Sequence, residues 1–172
     1  MTVERSGIVL DIETTGLSSG NRQNEITQLA IIDLGGRILF HRHFLVPEVH
    51  ETTSILDTLQ PFEYYQNEIQ DIINAASLII AYNFAFDYAF LCEAGISFNK
   101  KSYYCAMRGF APVYGKRNAE GDGWRWQTLS VCAEYFGYSP FETHDALEDA
   151  KATLYCFQKM LEIKQNARGD LR

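Results

Sequence analysis

Apolar and polar positions along this chain alternate with two periods, and the switches between them mark out the elements. Ile8, Leu10 and Ile12 alternate with Val9, Asp11 and Glu13. A strand is therefore expected over Ile8–Glu13, with both carboxylates on the face opposite those three aliphatic residues. After the turn-like "TTGLSSGN", the stretch "EITQLAIIDLGGRILFHRHFLVP" reads as two strands joined in a hairpin at Gly35-Gly36 and ended by Pro47. A helical period runs from about Thr53 to Ala76, with Pro61 at a helix start and Ile69, Ile72 and Ile73 on one face. "SLIIAY", Ser77–Tyr82, has the length of a short buried strand. Asn83 is placed to cap a helix over about Phe84–Ala94, which Gly95 stops. "SYYCAM" predicts another strand, "RGFAPVYG" a broken helical segment and "GKRNAEGDG" an exposed loop. Helices follow over about Thr128–Phe136 and Asp145–Lys164, and residues 166–172 are expected to fray. Three strands and then strands alternating with helices define an α/β fold, a central mixed five-stranded sheet flanked by helices. At 172 residues the chain is expected to be one domain, 1–172, with its core over about 7–163.

Composition narrows the setting. No apolar run approaches the ~20 residues that span a bilayer, so no membrane partner is expected. "MTVERSG" carries an acid ahead of the first apolar run, which argues against a signal peptide. Cys92, Cys105, Cys132 and Cys156 form no C-x-x-C pair and sit inside apolar patterns, as reduced core thiols do. A cytoplasmic protein is the resulting expectation. The net charge of −7 argues against a basic groove that reads nucleic acid. It leaves room for an enzyme that grips phosphates through cations, because carboxylates that hold divalent ions present positive charge to a substrate.

Four carboxylates stand in apolar surroundings. On the last helix, at about 100° per residue, Ala150, Thr153, Leu154, Phe157, Met160 and Leu161 form one arc. Glu148, Lys151, Gln158, Lys159 and Glu162 fall opposite, while Asp149 projects at the edge of the apolar arc. Asp145 with Glu148 resembles a capping box, which puts His144 just before the helix and about one turn from Asp149. Asp87 lies in the first turn of a helix among Phe84, Phe86, Tyr88, Phe90 and Leu91. Taken singly, each has an ordinary explanation. Asp11 and Glu13 could lie on a partly exposed strand, Asp87 could gain about 0.3–1 kcal/mol from the helix dipole, and His144 could be a capping residue. Taken together, four acids without obvious basic partners call for hard divalent cations with oxygen ligands. Two such ions about 4 Å apart can activate a water and stabilise the leaving oxygen of a phosphodiester, and an adjacent histidine can take the water's proton.

These residues, in this order, resemble the DEDDh family of 3′–5′ exonucleases, which has a ribonuclease-H-like fold. "LDIETTGL" is similar to the family's first motif, D-x-E-T-T-G-L; "AYNFAFDYAFL" to the second, H-N-x-x-F-D-x-x-F-L; and "HDALEDA" to the third, H-x-A-x-x-D-A. The resemblance spans roughly residues 7–163, and "YYCAMRGFAPVYG" resembles the polymerase III epsilon-like branch that includes exodeoxyribonuclease X. It implies that Asp11, Glu13, Asp87 and Asp149 hold two divalent ions, Mg²⁺ or Mn²⁺, with Asp11 bridging them. Glu13 and Asp149 would hold the nucleophile-side ion, and Asp87 would act partly through water. His144 becomes the general base. Thr14, Thr15, Gly16 and Leu17 would meet the terminal nucleotide, Leu17 as a wedge against its base, and Asn83 and Phe84 would line the same pocket. Tyr82 departs from the pattern, standing where the second motif has histidine.

The activity so implied is removal of nucleoside 5′-monophosphates from the 3′ end of single-stranded or frayed DNA. An exoribonuclease trimming RNA ends or short oligoribonucleotides is the enzymatic alternative, and a degenerate nucleic-acid-binding domain is the non-enzymatic one. The partner is a nucleic-acid 3′ end. Attachment to a polymerase is not expected, since no clamp-binding tail follows the last helix, and the oligomeric state is left open. "GWRWQ" offers Trp124, Arg125 and Trp126 for stacking on bases, although Trp126 is expected rather to pack the start of the next helix. His41 and His43 are expected to be solvated on an edge strand, and Lys100, Lys101, Lys116 and Arg117 to face water.

Overall fold

The computed structural model describes residues 6–20, 24–46, 59–138 and 144–169. The aliphatic alternation becomes β1 (Gly7–Thr14), which pairs antiparallel with β2 (Ile26–Asp33). β2 turns at Gly35-Gly36, with Gly36 at φ 83°, into β3 (Ile38–His43) as the hairpin signal predicts. On the other side of β1, β4 (Leu78–Ala81) and β5 (Ser102–Cys105) add in parallel. The sheet order is β3-β2-β1-β4-β5, a mixed five-stranded sheet with β1 at its centre.

Helices cover both faces. Ile8, Leu10 and Ile12 pack with Ile69 and Ile73 of α1 (Phe62–Ala75) and with Phe90 and Leu91 of α2 (Phe84–Glu93). On the opposite face Val9, Ala30, Ile32 and Ile80 meet Ala146, Ala150, Leu154 and Phe157 of α5 (Ala146–Gly169). A third cluster joins α3 (Ala106–Tyr114) and α4 (Leu129–Tyr135) to α5 through Phe110, Cys132, Cys156 and Met160. Each fully buried aliphatic or aromatic side chain contributes about 1.5–3 kcal/mol, so the strand carrying the acids is among the firmest parts of the molecule. All four cysteines are free thiols, but only Cys132 and Cys156 are buried in the core; Cys92 and Cys105 are half-buried. Among the described residues no helix is long and apolar enough to cross a membrane.

Several sequence expectations are corrected. Residues 59–61 are not helical, so α1 starts at Phe62 after Pro61; residues 53–58 lie outside the described set. Asn83 sits at the N-cap of α2, but its side chain makes no capping bond. Instead its carbonyl accepts the Phe86 N–H at 2.8 Å. The last helix runs on to Gly169, since neither Gly nor Pro interrupts it earlier and Lys159 pairs with Glu162 at 2.9 Å. Leu161 is exposed rather than part of the buried arc, while Ala152 and Cys156 are buried. The reason is that α5 packs against both the sheet and α4, which turns its apolar stripe toward the latter.

Candidate active site

Strand pleating sends Asp11 and Glu13 to the α5 side of the sheet, the face on which Val9 packs. The first turn of α5 delivers Asp149 to the same place. Donor oxygens of Asp11, Glu13 and Asp149 all lie within 4.8 Å of one another. Asp87 enters from the first turn of α2, 3% exposed. The fold thus brings together four acids that lie up to 138 positions apart.

Their protonation reflects that crowding. Burial, then the charges of Asp87, Asp149 and Glu13, push Asp11 well above the usual carboxylate range. Burial raises Asp87 to about 7 against the pull of backbone hydrogen bonds from its own N–H and that of Ile12. Burial and the Glu13 charge raise Asp149 to about 6, and burial raises Glu13. The charge of His144 lowers both Glu13 and Asp149, and His144 itself is exposed.

Among the described residues no lysine or arginine pairs with these acids. Among the described residues the ion pairs are Arg37–Asp33, Lys151–Glu148 and Lys159–Glu162, none of them in the cluster. Asp149 Oδ1 is buried without a hydrogen-bond partner among the described residues. An orphaned carboxylate oxygen costs several kcal/mol unless something binds it. An all-oxygen donor set with that orphan fits a hard divalent cation.

Around the acids, the turn after β1 is tied down. Thr14 Oγ1 donates to Gly16 O at 2.6 Å, Thr15 N–H donates to Glu25 O at 3.0 Å, and Glu25 N–H donates to Thr15 Oγ1 at 2.9 Å. Leu17 projects from this turn, 91% exposed. A cleft at the start of α2 is lined by Asn83, Phe84, Tyr103, Arg108 and Trp126; none of Thr14, Thr15, Gly16 and Leu17 lines it. Phe84 and Tyr103 stack with centroids 4.7 Å apart and planes 5° from parallel. Trp126 does not pack the next helix as expected; it is 56% exposed with the Arg108 guanidinium 5.6 Å from its ring.

His144 has a left-handed backbone, φ 76°, immediately before α5. Asp145 caps that helix, Oδ1 accepting the N–H groups of Leu147 and Glu148 at 3.1 Å each. The reciprocal half of the expected capping box is absent because Glu148 turns outward to Lys151. His41 is not solvated as expected: it is half-buried, with Nε2 2.8 Å from Gln28 Nε2. Sequence reading passed over Tyr103, Arg108 and Gln28. The signal for Gln28 was there, a lone amide inside the aliphatic run "ITQLAIID".

An α/β fold with an acid cluster on its central strand and a histidine just ahead of the last helix has the parts that a hydrolytic site of the nuclease type requires. A profile of the exonuclease family matches residues 8–157, and the chain belongs to that family, of the DEDDh-type 3′–5′ kind its motifs resemble. A PolC-type DNA polymerase III from Thermotoga maritima is 26% identical over 91% of this chain. The chain spans only 12% of that relative's length. Escherichia coli exonuclease I, solved with a dA16 oligonucleotide, has the same fold, with a TM-score of 0.66 over 98% of this chain and 43% of that one, at 14% identity. Exonuclease X, solved with 5′-overhanging duplex DNA, aligns with a TM-score of 0.57 over 91% and 92% of the two chains, at 17% identity.

Proposed function

We propose that the protein is a metal-dependent exonuclease that removes nucleoside 5′-monophosphates from the 3′ end of single-stranded or frayed DNA. The observation that carries this reading is the convergence of Asp11, Glu13 and Asp149 within 4.8 Å, with no ion pair to a lysine or arginine among the described residues. Asp11, Glu13, Asp87 and Asp149 would hold two divalent ions, Mg²⁺ or Mn²⁺. Bound there, such ions supply Lewis acidity to the scissile phosphate and lower the pKa of water.

The chain's own residues do the rest. His144 accepts a proton from the attacking water as that water's oxygen bonds to phosphorus. The bond from phosphorus to the 3′ oxygen of the penultimate nucleotide breaks, and that oxygen leaves to take a proton from solvent. The turn Thr14–Thr15–Gly16 offers backbone and hydroxyl groups to the terminal 3′-OH, and exposed Leu17 is free to wedge against its base. Asn83 and Phe84 line the cleft that also holds Tyr103 and Trp126, and would meet the same nucleotide there. Tyr103, backed by the buried Phe84, and Trp126 give a single strand exposed flat surfaces to stack on, which a duplex cannot use.

DNA is favoured over RNA because the curated relatives matched are PolC-type DNA polymerases; the fold neighbours include both exonucleases solved with DNA and a Saccharomyces cerevisiae PAN2 module named an RNase. The test is a side-by-side assay of 5′-labelled DNA and RNA strands of equal sequence, with a 3′-phosphorylated control. A descending ladder from unblocked DNA, at least tenfold faster than from RNA, supports the reading. Preferential shortening of RNA would make the protein an exoribonuclease, and strand binding without cleavage would make it a binding domain.

A further inference from the structure

Gln28 lies on β2, 3% exposed, directly opposite Glu13 of β1 and His43 of β3 in the sheet register. It faces the α5 side of the sheet, where its amide makes three contacts. Oε1 accepts the Ala146 N–H at 3.2 Å, Nε2 donates to Asp145 Oδ2 at 2.9 Å, and Nε2 stands 2.8 Å from His41 Nε2. Because Ala146 and Asp145 fix which end of the amide is which, the network assigns His41 Nε2 as an acceptor. Donor atoms of His41, His43 and Asp145 lie within 4.8 Å of one another, spacing that could suit a metal ion. The Gln28 nitrogen is within hydrogen-bond distance of two of them, so the centre is a hydrogen-bond hub.

The two residues that Gln28 holds are the ones directly following His144. A non-glycine residue at positive φ, as His144 is, persists only where its surroundings over-determine it. Asp145 Oδ1 ties the turn to α5, and Gln28 ties it to the sheet. β2 is an interior strand paired on both sides, so the anchor is rigid. A neutral amide suits the position, since a carboxylate there would face both Glu13 and Asp145.

We infer that Gln28 is a positioning residue for the reaction: it pins the turn that carries His144 to the sheet and so aims the imidazole at the acid cluster. The inference rests on the proposed role of His144 as general base. Gln28→Met keeps the side chain's length and removes the amide. It is expected to lower kcat at least tenfold on a single-stranded oligonucleotide while KM stays within twofold. A residue that acts through another shows its effect only while the other is present. In a His144→Ala background, the same change is therefore expected to lower the residual rate less than twofold. Should Gln28→Met fail to fold, as judged by circular dichroism, Gln28→Leu, which also removes the amide without adding a charge beside Glu13 and Asp145, runs the same cycle. Equal losses with and without His144, or no loss in kcat, would overturn the positioning role. Full activity in His144→Ala alone would instead remove the general base, and the inference with it.

Discussion

The phenolic oxygen of Tyr82 lies 2.8 Å from the carbonyl oxygen of Thr128, the residue that caps α4, and 2.9 Å from that of Gln127. Tyr82 is 6% exposed and stands where the second family motif has histidine. Its hydroxyl joins the end of β4 to the start of α4, away from the carboxylates. Tyr82→Phe leaves both carbonyls without that donor, and thermal denaturation should show a loss of about 1 kcal/mol. Turnover should stay within twofold of the parent. A tenfold fall in kcat at unchanged stability would mean that this residue serves the chemistry.

Stability of the metal-free protein should depend on pH in a set direction. Asp87 at about 7 and Asp149 at about 6 titrate in the folded protein well above the ordinary unfolded value of about 3.9. Between those limits the folded state holds more protons than the unfolded one, so stability falls as pH rises. The contribution is fully present below pH 4 and lost above pH 7. Unfolding temperatures in chelator should therefore drop from pH 5 to pH 8, and saturating Mg²⁺ should raise them more at pH 8 than at pH 5. A metal increment that is equal at the two pH values would contradict the carboxylate cluster as the binding site.

Trp126 is half exposed beside Phe84 and Tyr103, and stacking on one base is worth about 1–3 kcal/mol by alanine substitution. Trp126→Ala should raise KM for a single-stranded oligonucleotide at least fivefold, with the unfolding temperature within 2 degrees of the parent, about what an exposed substitution changes. Steady-state kinetics and a melt measure both. Unchanged KM with a lowered melting temperature would return Trp126 to a packing role.

Much of this was legible in the sequence because periodicity reports burial. The alternation through Ile8–Glu13 located β1 and told which face its acids occupy. Asp149 stood out because it broke an apolar arc. What stayed hidden depended on partners remote in sequence. The engagement of His41 with Gln28, the exposure of Trp126 under Arg108 and the second buried side of α5 all follow from tertiary contacts, which no local period encodes. The missing side-chain cap at Asn83 is a matter of backbone angles, φ −111° and ψ 71°, that residue type alone does not set.

The central claim is that the carboxylate cluster and His144 together hydrolyse 3′ ends. Its most direct test is the rate at which purified wild type, Asp11→Ala and His144→Ala shorten a 5′-labelled single strand in Mg²⁺ or Mn²⁺, each with a chelator control. The account predicts cleavage by wild type that stops with chelator, and at least a hundredfold loss in both variants at preserved unfolding temperature. Undiminished cleavage in both variants would contradict it.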